Sequence, residues 1–344
     1  MPMAYSADIL DQLTQEYLPA IEKELVQGVS QTAHVGLAAL HGMLAYHMGW
    51  EGEGAGPDAR GKRIRPLLVI LSCASAGGNW EQALPAASAV ELVHNFSLIH
   101  DDIEDNSPLR HRRPTLWKLW GIPQAINAGD AMFALAHLEI LRLEETISPN
   151  VAVRAAKLLQ QTCLHLTQGQ YLDLSYESRS NLTLDDYWPM ISGKTAALVA
   201  ACTQLGALVA GVDLERQNRF NEFGHYLGLA FQARDDLLGI WGDAELTGKS
   251  AESDLVTGKK SLPVLYGLSK KGAFAKRWSQ DSISPDEVVY VARMLESEGG
   301  QSYSEQIAAK LTDQALQALI STHPEGAAGQ ALQQLVDRLL NRKV

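Results

Sequence analysis

Residues 91–108 read ELVHNFSLIHDDIEDNSP. His94, Ser97, Asp101 and Asp105 fall at i, i+3, i+7 and i+11, which is one stripe of an α-helix. Asp101 and Asp105 lie one turn apart on that stripe, about 6 Å between Cβ atoms. Asp102 is turned about 100° away and suits a supporting role behind them. Ser107-Pro108 ends the helix. A helix C-terminus already carries partial negative charge, so three aspartates there are unfavourable without a cation nearby. One such stretch alone is equally a solvated acidic helix end. A second one, far along the chain, changes the balance.

That second stretch is FQARDDLLG at residues 231–239. Gln232, Asp235, Asp236 and Gly239 again form a polar stripe at i, i+3, i+4 and i+7 on an otherwise apolar helix. Two carboxylate clusters at the ends of two apolar helices make sense together if something strongly positive binds between them. Magnesium takes hard oxygen ligands, keeps several waters, and commonly uses one or two carboxylates plus phosphate oxygens. A magnesium–diphosphate complex is therefore the leading candidate.

Working outward, helical periodicity is nearly continuous and strand signals are scarce. The expected helices run 6–28, 30–48, 64–76, 82–106, 123–147, 150–178, 184–190, 194–211, 212–241, 261–270, 286–297, 301–322 and 326–341. Gly52 to Gly61 and Gly242 to Lys260 read as loops. There is no internal repeat and no linker, so the 344 residues are expected to form a single all-α domain, 1–344, of about ten to thirteen helices. Net charge is −11, which argues against a sequence-independent grip on nucleic acid. The three cysteines, Cys73, Cys163 and Cys202, are widely spaced and sit in apolar helical contexts. They read as buried small hydrophobes in a reducing compartment. With no basic-then-apolar leader and no apolar run of membrane length, a cytoplasmic location is expected.

Against an acidic background the basic clusters are informative. Gly61-Lys62-Arg63-Ile64-Arg65-Pro66 opens a helix after the glycine-rich loop, and Lys62 and Arg65 are three apart. Helix start, lysine and arginine together make an anion site. Arg110-His111-Arg112-Arg113 follows the first acidic motif, Gly193-Lys194-Thr195 opens another helix, and Lys249 and Lys259 follow the second acidic motif. Each alone is commonly a solvated surface feature. Together they exceed the need of one diphosphate and suggest two.

Taken in order, GKRIRP, HNFSLIHDDIEDNSPLR, NAGD, GQYLDL, GKT, FQARDD, GD…TGK and DL…GKK resemble the trans-isoprenyl diphosphate synthases, or polyprenyl synthetases, from about Gly61 to Pro263. The resemblance implies the isoprenoid synthase fold, a helical bundle around a deep apolar cavity, usually a homodimer. It implies up to three Mg2+ ions. Asp101 and Asp105, with Asp102, would serve the first acidic site. Asp235, helped by Asp236, and the accessory Asp173 would serve the others. Arg110, Lys194, Thr195, Gln232, Lys249 and Lys259 would hold the allylic diphosphate. Lys62, Arg65, His94 and His111 would hold isopentenyl diphosphate. Asp101, Asp105, Lys194, Asp235 and Lys249 would carry catalysis. The implied reaction is ionisation of the allylic diphosphate, condensation with the isopentenyl double bond, and loss of a proton, in a dry cavity.

Two positions depart from the family pattern. Gly239 stands where a third aspartate is usual, and His111 where a second arginine is usual, with Arg112 or Arg113 as substitutes. Phe96 and Ser97, five and four residues before Asp101, resemble the chain-length floor of geranylgeranyl diphosphate synthases more than that of farnesyl diphosphate synthases. The alternatives are a terpene synthase on the same fold and a non-catalytic subunit of a heteromeric synthase. A di-metal carboxylate bundle built on Glu91-x-x-His94 and Glu222-x-x-His225 is a third.

Overall fold

The computed structural model describes residues 8–34, 36–242 and 254–340. Among these the chain is almost wholly helical. Its main helices are α1 (Ile9–Ser30), α2 (Ala38–His47), α3 (Pro57–Arg60), α4 (Ile64–Ser75), α5 (Leu84–Glu104), α6 (Leu116–Trp120), α7 (Ile122–Leu141), α8 (Leu143–Thr146), α9 (Pro149–Glu177), α10 (Leu184–Ile191), α11 (Ala197–Val209) and α12 (Leu214–Trp241). After these come α13 (Asp254–Thr257), α14 (Leu262–Lys270), α15 (Ala273–Trp278), α16 (Val288–Ser297), α17 (Gly300–Ser321) and α18 (Gly326–Leu340). The all-α expectation holds, and most helix ends lie within two residues of those read from periodicity.

Four differences have local causes. The span expected as 30–48 begins only at Ala38, after turns at Gln31, Thr32 and Gly36. Short helices at 57–60, 116–120, 254–257 and 273–278 were too brief to show periodicity. The 194–211 helix does not begin at Gly193-Lys194-Thr195: Ser192–Ala196 is a π-helical stretch continuing directly from α10. Finally, Leu109–Arg110 pairs antiparallel with Arg113–Pro114. His111 and Arg112 both have positive φ, 51° and 61°, as a two-residue hairpin turn of this hand requires.

The described residues group into two compact units. One takes the described residues of Met1–Gln161, Ala201–Gln217 and His323–Leu332, the other those of Thr162–Ala200, Asn218–Thr322 and Gln333–Val344. In the first, α5 is buried on every side from Pro85 to Val93 and packs on α1, α4 and α7. A helix apolar all round belongs at the centre of a bundle. Arg63 ties this unit together. Held at φ 47° just before α4, it donates to Glu22 (2.7 Å), Glu91 (2.9 Å) and the Met48 carbonyl (3.1 Å). In the second unit Ile240, Leu255, Val264, Phe274, Ile283, Val291 and Leu295 form a shared apolar cluster. All three cysteines are buried and unpaired, and burial pushes the Cys73 and Cys202 thiols up to about 12.

Candidate active site

In the first unit α5 delivers its acidic end as the spacing requires. Asp105 is the C-cap, and its N–H donates to the Asp101 carbonyl (2.9 Å), so the two remain one turn apart. Asp101 is partly exposed and Asp105 exposed, whereas Asp102 is buried. The hairpin after the helix folds Arg110 back onto Asp102, with Nε at 2.9 Å and Nη2 at 2.7 Å from Oδ1. The same Nη2 lies 3.8 Å from Asp101. Burial raises the Asp102 pKa, and the Arg110 contact opposes that rise. One cation at this helix end is thus supplied by the chain itself, hydrogen-bonded to Asp102 and at ion-pair distance from Asp101. Hard carboxylate oxygens one turn apart on an open helix end fit Mg2+, which completes its shell with water and phosphate.

Lys62 lies outside α4 and is exposed, so the expected helical i, i+3 pairing with Arg65 does not apply. Arg65 meets His94 instead, with Nη1 3.1 Å from Nε2. Arginine can only donate, so Nε2 accepts and His94 is neutral with its proton on Nδ1. Burial, reinforced by Arg65 and Arg110, holds its pKa well below the usual range. Arg65 Nε has no hydrogen-bond partner among the described residues. His111 is exposed in the hairpin turn. Arg113 does not substitute for it: its guanidinium donates to the Glu53, Tyr46 and Glu51 carbonyls. Of Arg112 and Arg113, only Arg112 remains at the surface. The di-metal alternative loses Glu91, whose Oε1 is taken by Arg63 and Asn95.

Phe96 stacks edge-on with Phe133 of α7 (centroids 5.0 Å) and with His100 (5.5 Å), and Phe133 lies 4.4 Å from His137. Ser97 turns its hydroxyl onto the His94 carbonyl (2.8 Å). Phe133 was invisible as a partner of Phe96 because the pairing depends on how α5 meets α7.

In the second unit two glycines let helix backbones touch. A Cβ at Gly169 would lie 2.5 Å from the Gly193 carbonyl carbon, and one at Gly228 would lie 2.6 Å from the Ala196 Cα. One turn beyond Gly169 stands Asp173, in direct contact with Lys194. One turn beyond Gly228 stands Gln232, whose Oε1 accepts from the Thr195 hydroxyl (2.7 Å). Gln232 Nε2 donates to Asp236 Oδ1 (2.8 Å). Asp236 Oδ2 also accepts from the Tyr187 hydroxyl and the Leu262 N–H, both at 2.8 Å. Asp236 is buried and engaged by protein donors, while Asp235 beside it is half-buried. Lys259 sits among Asp254, Asp236, Asp173 and Asp235. Burial disfavours its charge, but these carboxylates prevail and raise its pKa above the ordinary lysine value. Asp173, Lys194, Thr195, Gln232 and Lys259 line one recess. Lys249 lies outside the described residues. Among the described residues no three His, Cys, Asp or Glu side chains form a ready-made metal cage, so any ion would depend on phosphate and water for part of its shell.

Sequence reasoning missed Tyr187, which anchors Asp236, and Asp254. The latter fills the room at Gly239: a Cβ there would come within 2.7 Å of the Asp254 carboxyl carbon.

Residues 56–295 match the polyprenyl synthetase family, and the chain belongs to it. It is a prenyltransferase. It is 42% identical over 272 residues to a (2E,6E)-farnesyl diphosphate synthase of Mycobacterium bovis, covering 76% of this chain and 75% of that one. It is 39% identical over 306 residues to a geranylgeranyl diphosphate synthase of Mycobacterium tuberculosis, covering 86% and 85%. A polyprenyl synthetase from Streptomyces coelicolor A3(2) superposes with a TM-score of 0.84 at 36% identity, over 94% of this chain and 97% of that one.

Proposed function

We propose that this chain, acting as one catalytic domain over 1–344, joins an allylic diphosphate to isopentenyl diphosphate. The product is a longer trans-prenyl diphosphate, geranylgeranyl first and farnesyl next. The observation that carries the reading is the repeated division of labour in each aspartate pair. Asp102 and Asp236 are buried and bound by protein donors, and they brace a partner, Asp101 or Asp235, that stands less buried. Asp101, Asp105 and Asp235, with Asp173, would hold the Mg2+ ions. When bound, those ions supply positive charge against the departing diphosphate.

The chain's own groups do the rest. Lys194 and Lys259 would face the same diphosphate oxygens, with Lys259 kept charged by the carboxylates around it, while Thr195 is oriented by Gln232. Arg110 is held by Asp102, so its charge meets an incoming phosphate without reorganisation. Arg65, His94, Lys62 and His111 would receive isopentenyl diphosphate. Retention of Lys62, Arg65 and His94 favours condensation over a cyclase that uses one diphosphate, and the intact acidic pairs favour a catalytic chain over an inert subunit. Phe96, backed by Phe133, would limit the chain length. Ile122, Ile126, Leu138 and Leu141 of α7 are exposed by 41–51%, which supports a homodimer that covers them. Among the described residues no helix is long and apolar enough to cross a membrane, and unpaired buried cysteines suit a cytoplasmic setting.

Purified chain, Mg2+, labelled isopentenyl diphosphate and allylic primers of several lengths should give labelled longer prenyl diphosphates, and chelation should abolish them. Cyclised or hydrolysed primer without label incorporation would overturn the reading.

A further inference from the structure

His47, in the last turn of α2, belongs to none of the motifs that carry the family resemblance. Its ring lines a recess together with Asp102, Arg110 and His111. Its Nε2 is sealed from solvent and has no hydrogen-bond partner among the described residues. A buried nitrogen left unmatched is costly, and such groups call for an explanation.

The neighbours cannot provide the match. The groups acting on His47 are Arg110, Arg63, His111 and Arg113, and His47 in turn acts on His94. Arg63 already serves Glu22 and Glu91, and Arg113 serves three carbonyls. Asp102, the carboxylate of this recess, is taken by Arg110. Donors therefore crowd the recess while its protein acceptor is spent. Burial and these cations keep the imidazole neutral, with its pKa pushed down to about 3. A neutral ring still offers one N–H, and what fits a donor-rich pocket lacking a free acceptor is an anion with many oxygens.

We propose that His47 is a further binding residue for isopentenyl diphosphate, its Nε2–H donating to a phosphate oxygen beside Arg65, His94 and His111. This rests on the proposed function for the identity of the anion. The substrate would then supply the acceptor that this nitrogen lacks, and the hairpin carrying Arg110 is tied to the segment after α2 through Arg113, which donates to the Glu51 and Glu53 carbonyls.

The test compares His47→Phe, which keeps the ring's bulk without a donor, with His47→Gln, whose amide nitrogen reaches the same position. A lost hydrogen bond to a charged group corresponds to about a 10- to 100-fold change in affinity. The Phe variant should raise KM for isopentenyl diphosphate by about that factor and leave KM for the allylic primer within about twofold. The Gln variant should recover most of the loss. An isopentenyl diphosphate KM within twofold of the parent in His47→Phe overturns the proposal, as does an equal rise in both Michaelis constants in both variants. If the Phe variant melts below the assay temperature, His47→Asn, which withdraws the donor, replaces it with the same thresholds. Calorimetric titration of inorganic diphosphate without Mg2+ reads the subsite apart from turnover. Weaker binding by His47→Phe supports the inference even if the parent chain makes no prenyl product, an outcome that would refute the proposed function alone. Unchanged binding in an active enzyme refutes the inference alone.

Discussion

Restoring the family's usual residue by Gly239→Asp should damage this protein. The new Cβ would stand within 2.7 Å of the Asp254 carboxyl carbon and 3.0 Å of its Oδ1. Forcing extra atoms into a filled site costs about 1–3 kcal/mol. A second carboxylate roughly 4 Å from Asp254 adds a repulsion of roughly 4 kcal/mol at an effective dielectric near 20, before relaxation. Replacing glycine within a helix returns only a few tenths of a kcal/mol for aspartate, and Lys259 offsets part of the repulsion. A net loss of about 2–4 kcal/mol remains. Gly239→Ala separates the steric part from the charge. The decisive variant is the double change Gly239→Asp with Asp254→Ala, in which the new side chain inherits the vacated room. Thermal melting and turnover at saturating Mg2+ should show a clear loss in the single variant and recovery in the double, a coupling that neighbours sharing one space must display. A single variant that melts like the parent, or turns over more than tenfold faster, would refute the reasoning.

Three further outcomes are expected. Phe96→Ala and Phe133→Ala should each shift the main product to a longer prenyl diphosphate on chromatography, because the two rings support one another; an unchanged profile in both removes this floor. Gly169→Ala should lower the melting temperature by an amount equal to about 1–3 kcal/mol and cost activity together with it, since the added methyl parts Asp173 from Lys194; unaltered melting would contradict the backbone contact. Acidification should destabilise the fold through His47 and His94. Both have folded pKa values below the unfolded value near 6.5, so the unfolded chain binds more protons and their contribution is complete above pH 6.5. For His47 it falls by about 1.4 kcal/mol per pH unit as pH drops from there towards about 3. Melting midpoints that are flat between pH 6.5 and 4.5 would deny that these rings are buried neutral.

The sequence determined the all-α class, most of the long helix spans, the buried cysteines and the two acidic faces. These follow from spacing along single helices, where geometry is local: Asp101 and Asp105 share a face because a helix repeats every 3.6 residues. The motif order also sufficed for the family. Only the tertiary structure decided what each polar group meets. Arg110 and Arg113 are near neighbours in one basic run, yet one clamps Asp102 and the other holds a loop through three carbonyls. Asp235 and Asp236 are adjacent, yet only Asp236 is buried by donors drawn from residues 187, 232 and 262. Lys194 reaches Asp173 because two glycines permit backbones to touch, and Gly239 yields its space to Asp254 from the next helix. Such partnerships join residues far apart in sequence. They are set by side-chain volume and by where helices cross, which no periodicity along one segment encodes.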